Sequence, residues 1–160
     1  RSDFLCEIIS LIIKIGERKY RMAEWKKLAI HNDLKDSEQL VPFIEEIGDE
    51  LHLSFALVTS LNLALEEALV NSIQYAYAEG ETGDITLTAD WDEHLSILTF
   101  SLIDAGIPFD PTQMPDADTT LSADERPIGG LGILLIRKIM DSVSYQRIGN
   151  ENHLVMTKKI

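Results

Sequence analysis

The chain has 160 residues, 45% hydrophobic and 26% charged, the balance of a single ordinary globular domain; this excludes a low-complexity chain and a coiled-coil rod. Its 27 acidic residues outnumber 14 basic ones, and a net charge of -13 repels phosphate backbones, so direct nucleic-acid binding is disfavoured. The single cysteine, Cys6, permits no internal disulfide and fits a reducing, cytoplasmic location.

The charge is uneven: residues 1–27 carry a net +3 and residues 28–160 a net -16. The apolar run from Phe4 to Gly16 is too short to span a bilayer, and Glu7 and Lys14 interrupt it. Gly16-Glu17-Arg18-Lys19 makes a poor signal-peptide cleavage site. Residues 1–21 therefore read as a helical extension that packs on the domain or on a partner. A remnant of upstream sequence and a membrane contact are the other readings, with Met22 as an alternative start. Residues 22–160 read as the domain.

Trp25–His31 has the composition of a short strand. Asp33 or the pair Asp36/Ser37 can cap the helix that follows, in which Leu40, Phe43, Ile44, Ile47 and Leu51 recur at helical spacing. Ser54 can cap a longer helix from about Phe55 to Ala78. Gly80 and Gly83 then mark a turn. Ile85, Leu87, Ala89 and Trp91 alternate with polar residues in a strand, Asp92-Glu93 makes a hairpin turn, and His94–Asp104 is the next strand. Residues 107–128 form a long connection with four of the five prolines, the length and composition of a lid. A helix from Ile133 to about Met140 follows the glycines at 129, 130 and 132, and strands over Val143–Ile148 and His153–Ile160 close a hairpin around Gly149-Asn150. Hairpin-linked strands with helices between the pairs predict an α+β fold, a two-layer sandwich with a mostly antiparallel sheet covered on one face by helices.

Three groups of residues carry chemistry. On the long helix, Leu57, Leu61, Ala64, Leu65, Ala68, Ser72 and Tyr75 form the packed stripe, Glu66 falls roughly opposite it as a solvated charge, and Glu67 and Asn71 stack at its edge. A carboxylate and an amide there either anchor a loop or line a pocket, one accepting a proton and the other binding a hard cation. Asp104 shares parity with Leu98, Phe100 and Leu102, so it points inward at a strand end. It either caps the loop it enters or accepts from a ligand donor, with Gly106 allowing close approach. Gly129-Gly130-Leu131-Gly132 opens a helix, where freed amides favour an anion or simply make a hinge. Arg126 is the one basic residue in an acidic connection and either assists there or pairs with Asp124 or Glu125.

The order of these groups is more specific than any one of them. Leu65-Glu66-Glu67-Ala68-Leu69-Val70-Asn71-Ser72-Ile73 resembles the N box of the Bergerat-fold ATP-binding superfamily (the GHKL ATPases). Asp104-Ala105-Gly106-Ile107-Pro108-Phe109-Asp110-Pro111 resembles its G1 box. Arg126-Pro127-Ile128-Gly129-Gly130-Leu131-Gly132-Ile133, with Arg137-Lys138-Ile139-Met140-Asp141, resembles its G2 box and helix. Within that group the chain, over about residues 24–160, looks like the anti-sigma-factor serine/threonine kinases.

The resemblance implies that Glu67 is the general base, Asn71 the Mg²⁺ ligand and Asp104 the acceptor for the adenine amino group of ATP. Gly106 would let the adenine ring approach. Gly129, Gly130, Leu131 and Gly132 would hold phosphates, with Arg126 and Thr119 or Thr120 assisting from the lid. It further implies a cytoplasmic kinase that phosphorylates a STAS-domain anti-sigma antagonist and sequesters a sigma factor, and a homodimer by analogy. Two positions depart from the pattern. Pro108 stands where many relatives have a second glycine, which stiffens the start of the lid. Asn152-His153 stands where many have Gly-Thr, which puts a hydroxyl contact near adenine in question. The rival readings are a nucleotide-regulated binding module without phosphotransfer, the ATPase half of a histidine kinase, and a purely structural role. The second of these needs a phosphoacceptor helical hairpin for which residues 1–21 are too few. The third leaves the inward carboxylate and the glycine cluster without a use.

Overall fold

A computed structural model describes residues 25–113 and 130–160. Alternating apolar residues build five strands: β1 (Lys26–His31), β2 (Asp84–Asp92), β3 (Ile97–Asp104), β4 (Ser142–Ile148) and β5 (Glu151–Lys159). They form one sheet in the order β1-β2-β3-β5-β4 with every neighbouring pair antiparallel. Three helices, α1 (Leu40–Glu50), α2 (Phe55–Tyr75) and α3 (Gly130–Ile139), supply the other layer. Ile44, Ile47, Leu61, Leu65 and Ile136 meet Ile85, Leu87, Leu98, Phe100 and Met156 in one buried core. This is the two-layer α+β sandwich that the pattern predicts.

Several boundaries differ from the pattern, each for a local reason. The first helical turn, Leu34–Gln39, is a 3-10 helix capped by Asp33, whose carboxylate accepts from Lys35 N at 2.9 Å; Asp36 turns back to accept from His31 N at 3.0 Å. Ser54 caps α2 as expected, accepting from Leu57 N at 3.3 Å. That helix ends at Tyr75 rather than Ala78 because the Ala76 carbonyl is taken by Ile107 N at 2.8 Å, just past β3. Tyr75 belongs to the rim and not to the packed stripe, at 52% exposed. The β2–β3 turn takes in residues 93–96 because the Asp92 carboxylate accepts from both His94 N and Leu95 N, at 3.0 Å each, and Ser96 has a φ of 52°. The third helix begins at Gly130, three residues earlier than its apolar pattern indicates, so Gly132 lies inside its first turn.

Candidate functional site

Asp104 closes β3 on the helix-facing side and is 6% exposed. A carboxylate this deep requires donors, and three converge on it. Gly106 N donates to Oδ1 at 3.0 Å, Asn152 Nδ2 donates to Oδ1 at 2.7 Å, and Ser72 Oγ donates to Oδ2 at 3.1 Å. A carboxylate offers about four acceptor positions, so among the described residues one on Oδ2 has no donor. Asp104 forms part of the wall of a cleft. Ala68, Leu102, Ile107, Phe109, Ile136 and Leu154 supply apolar walls, and Asn71, Ser72, Tyr145 and Asn152 supply polar points. A mostly apolar slot with a few convergent polar groups suits a flat heteroaromatic ring.

Gly106 earns its place through the fold. A Cβ there would strike the Ala76 carbonyl oxygen and stand 2.6 Å from its carbon, so only glycine lets the chain leave β3 against the end of α2. Main chain cannot yield as a flexible side chain can. Gly106→Ala is therefore expected to destabilise the domain by about 2–3 kcal/mol, read as a lowered urea midpoint at unchanged slope. An unchanged midpoint would show that the approach is not tight. Nearby, the Tyr77 hydroxyl donates to the Asp84 carbonyl at 2.7 Å and accepts from Ala105 N at 3.0 Å. Burial pushes its pKa up, with the charges of Asp104, Asp84 and Glu151 adding and the Ala105 bond opposing, so Tyr77 stays a neutral brace.

Glu67 and Asn71 are half-buried on α2 while Glu66 is exposed, as the helical register predicts. Asn71 lines the cleft and Glu67 does not. Both approach Gly132: a Cβ built there would lie 2.6 Å from Glu67 Oε2 and 3.4 Å from Asn71 Nδ2. The first turn of α3 thus runs against the carboxylate and the amide, at a helix end where backbone N–H groups favour anions. The last turn is tied to the segment after β3, Arg137 Nη2 donating to the Thr112 carbonyl at 2.6 Å.

The structure brings Glu67 and Asn71 together against Gly132, puts Asn71 and Asp104 on the wall of one cleft, and bonds Gly106 N to Asp104. Gly130 contributes its backbone to the start of α3. Thr119, Thr120, Arg126 and Gly129 lie outside the described residues, as do the side chain of Leu131, most of the expected lid and the N-terminal extension. Ser72, Tyr145 and Arg147 were not singled out from sequence as site residues, and Asn152 entered only as a departure from the family pattern near adenine. For Asn152 the signal was present: it shares parity with Leu154 and Met156, so it is an inward polar residue at a strand end, as Asp104 is.

Among the described residues no helix is long and apolar enough to cross a membrane, and no cluster of three or more His, Cys, Asp or Glu could hold a metal. The family model of the histidine kinase-like ATPase domain matches residues 30–158. The chain is 32% identical over 115 residues to the serine/threonine-protein kinase BtrW of Bordetella bronchiseptica, covering 72% of this chain and 80% of that protein. It is 31% identical over 119 residues to the serine-protein kinase RsbW of Listeria monocytogenes, covering 71% and 73%. A solved Mycobacterium tuberculosis chain with RsbU and RsbW domains superposes with a TM-score of 0.58 at 13% identity, over 84% of this chain and 32% of that one, which bears on the fold alone. With its family model spanning most of the sequence and its fold and motif order in agreement, the chain belongs to the histidine kinase-like ATPase domain family, among relatives of the RsbW and BtrW kind.

Proposed function

We propose that this chain is an ATP-dependent protein serine/threonine kinase of the cytoplasm that phosphorylates a STAS-domain antagonist and sequesters a sigma factor. Residues 22–160 are its catalytic domain and residues 1–21 an extension. The observation that carries the reading is the apolar cleft whose buried carboxylate, Asp104, bonds Ser72 through Oδ2, with Asn71 on the same wall and Glu67 beside Asn71 against Gly132. The family is one of ATP-using domains, and the named relatives are serine kinases.

In this reading Asp104 Oδ2 accepts from the exocyclic amino group of adenine. The apolar walls bury the ring. The first turn of α3 offers amides to the phosphates, with Arg126 and Thr119 or Thr120 assisting. Asn71 offers the hard oxygen that suits Mg²⁺, and the ion, when bound, neutralises phosphate charge. A side chain on residue 132 would crowd the Glu67 carboxylate and reach Asn71, so the glycine leaves room beside both for phosphate and metal. Glu67 takes the proton from the acceptor Ser or Thr hydroxyl as its oxygen bonds to the γ-phosphorus and the bond from that phosphorus to the β–γ bridging oxygen breaks, with ADP as the leaving group. Most of the acceleration then comes from positioning and fixed electrostatics.

A binding module without phosphotransfer is the second reading, and one observation favours it: Glu67 stands beside Gly132 and off the cleft wall. Incubation with γ-labelled ATP, Mg²⁺ and candidate STAS-domain proteins separates the two. Label on a STAS serine or threonine is the expected result. ATP binding without transfer to any such partner would replace the kinase by the module.

A further inference from the structure

We propose that Asn152 is a positioning residue that sets the base selectivity of the cleft by holding the Asp104 carboxylate in one orientation. The inference rests on the nucleotide reading above. Asn152, the second residue of β5, lies directly opposite Asp104 in the β3–β5 register and is 6% exposed. Its amide is fully used inside the protein. Nδ2 donates to Asp104 Oδ1 at 2.7 Å and to the Ile107 carbonyl at 2.9 Å. Oδ1 accepts from Tyr145 Oη at 2.7 Å and from Arg147 Nη1 at 2.8 Å. An asparagine amide has two donor and two acceptor positions, so none is left for a ligand, and Asn152 acts only through Asp104.

The chemistry of the neighbours fixes which way the amide points. A guanidinium donates and never accepts, so the edge facing Arg147 must be Oδ1. The Ile107 carbonyl only accepts, so the opposite edge must be the NH₂. Arg147 Nη1 is itself pinned by the Gly106 carbonyl at 2.9 Å. With Asn152 and Gly106 N both on Oδ1, Asp104 cannot turn, and Oδ2 beside Ser72 is the oxygen presented to a ligand. A purine with a 6-amino group matches that acceptor. A purine with a 6-oxo group sets oxygen against oxygen. If Asn152 is lost the carboxylate is no longer held in line, so a 6-amino purine forfeits a well-aligned bond, whereas a 6-oxo purine, which makes no bond to it, has none to lose.

The test measures ATP and ITP affinity by calorimetry for the full chain, for Asn152→Leu, which deletes the amide at similar volume, and for Asn152→Asp, which sets an acceptor against Asp104. Wild type is expected to prefer ATP. In both variants that preference is expected to fall about tenfold or more, through weaker ATP binding with ITP affinity held. A purely structural role would weaken both nucleotides in parallel and leave their ratio unmoved, which overturns the proposal, as does ATP affinity equal to wild type. Thermal melting reports the fold, and if one variant does not fold the other is read alone. Loss of fold in both assigns Asn152 to the core and also overturns the proposal. Equal binding of ATP and ITP by wild type is a different failure, that of the Asp104 reading itself.

Discussion

Glu67→Gln is expected to lose phosphotransfer to a STAS-domain partner by about 100- to 10,000-fold, the range for removal of a general base, while ATP affinity stays near that of wild type. The substitution keeps the shape of the side chain and removes its ability to take a proton. Its neighbours explain why binding survives. Glu67 is absent from the cleft wall that Asp104 and Asn71 share, and it stands against Gly132 in the first turn of α3. Rapid-quench transfer rates beside calorimetric ATP affinities separate the two effects. Glu66→Gln is the control. Glu66 precedes Glu67 by one position, is exposed on the far side of α2, and should leave both rate and affinity unchanged. An inactive Glu66→Gln with an active Glu67→Gln would reverse the assignment of the base, whereas a fully active Glu67→Gln would remove general-base catalysis from the mechanism.

How much of this was legible in the sequence depended on the kind of signal each residue carried. Periodicity is a short-range property, so the elements, the inward Asp104 and the edge positions of Glu67 and Asn71 could be read directly. Helix and strand ends were less legible because tertiary hydrogen bonds set them. The Ala76 carbonyl that ends α2 is claimed by Ile107, about thirty residues away. Gly106 illustrates the same limit. Its role toward adenine came from resemblance alone, whereas its collision with the Ala76 main chain is a contact between distant segments that no local pattern encodes. Asn152 lies between these cases. Parity pointed it inward, but that its partner would be Asp104 depended on β3 pairing with β5 across the whole third helix. The Arg147 and Tyr145 contacts depended on the β4–β5 hairpin register in turn.

Asp104→Asn is expected to weaken ATP binding by about 5- to 150-fold, corresponding to roughly 1–3 kcal/mol for an unmatched buried polar pair. The surroundings determine how the new amide must sit. Two donors, Gly106 N and Asn152 Nδ2, converge on Oδ1, so the amide oxygen has to remain there. The NH₂ then takes the place of Oδ2, beside Ser72 and facing the cleft. The Ser72 hydroxyl can rotate to accept from it, so the fold keeps its bonds and the loss falls on the ligand. A donor now meets the adenine amino group, which is also a donor. The same NH₂ can bond the 6-oxo group of hypoxanthine, so ITP affinity should rise as ATP affinity falls. Calorimetry with both nucleotides on wild type and variant checks the pair of shifts. Reversal of preference would fix Asp104 as the residue that reads the base through Oδ2. Loss of both nucleotides together would make the carboxylate a brace for the end of β3, and equal ATP affinity in the two proteins would move base recognition elsewhere in the cleft.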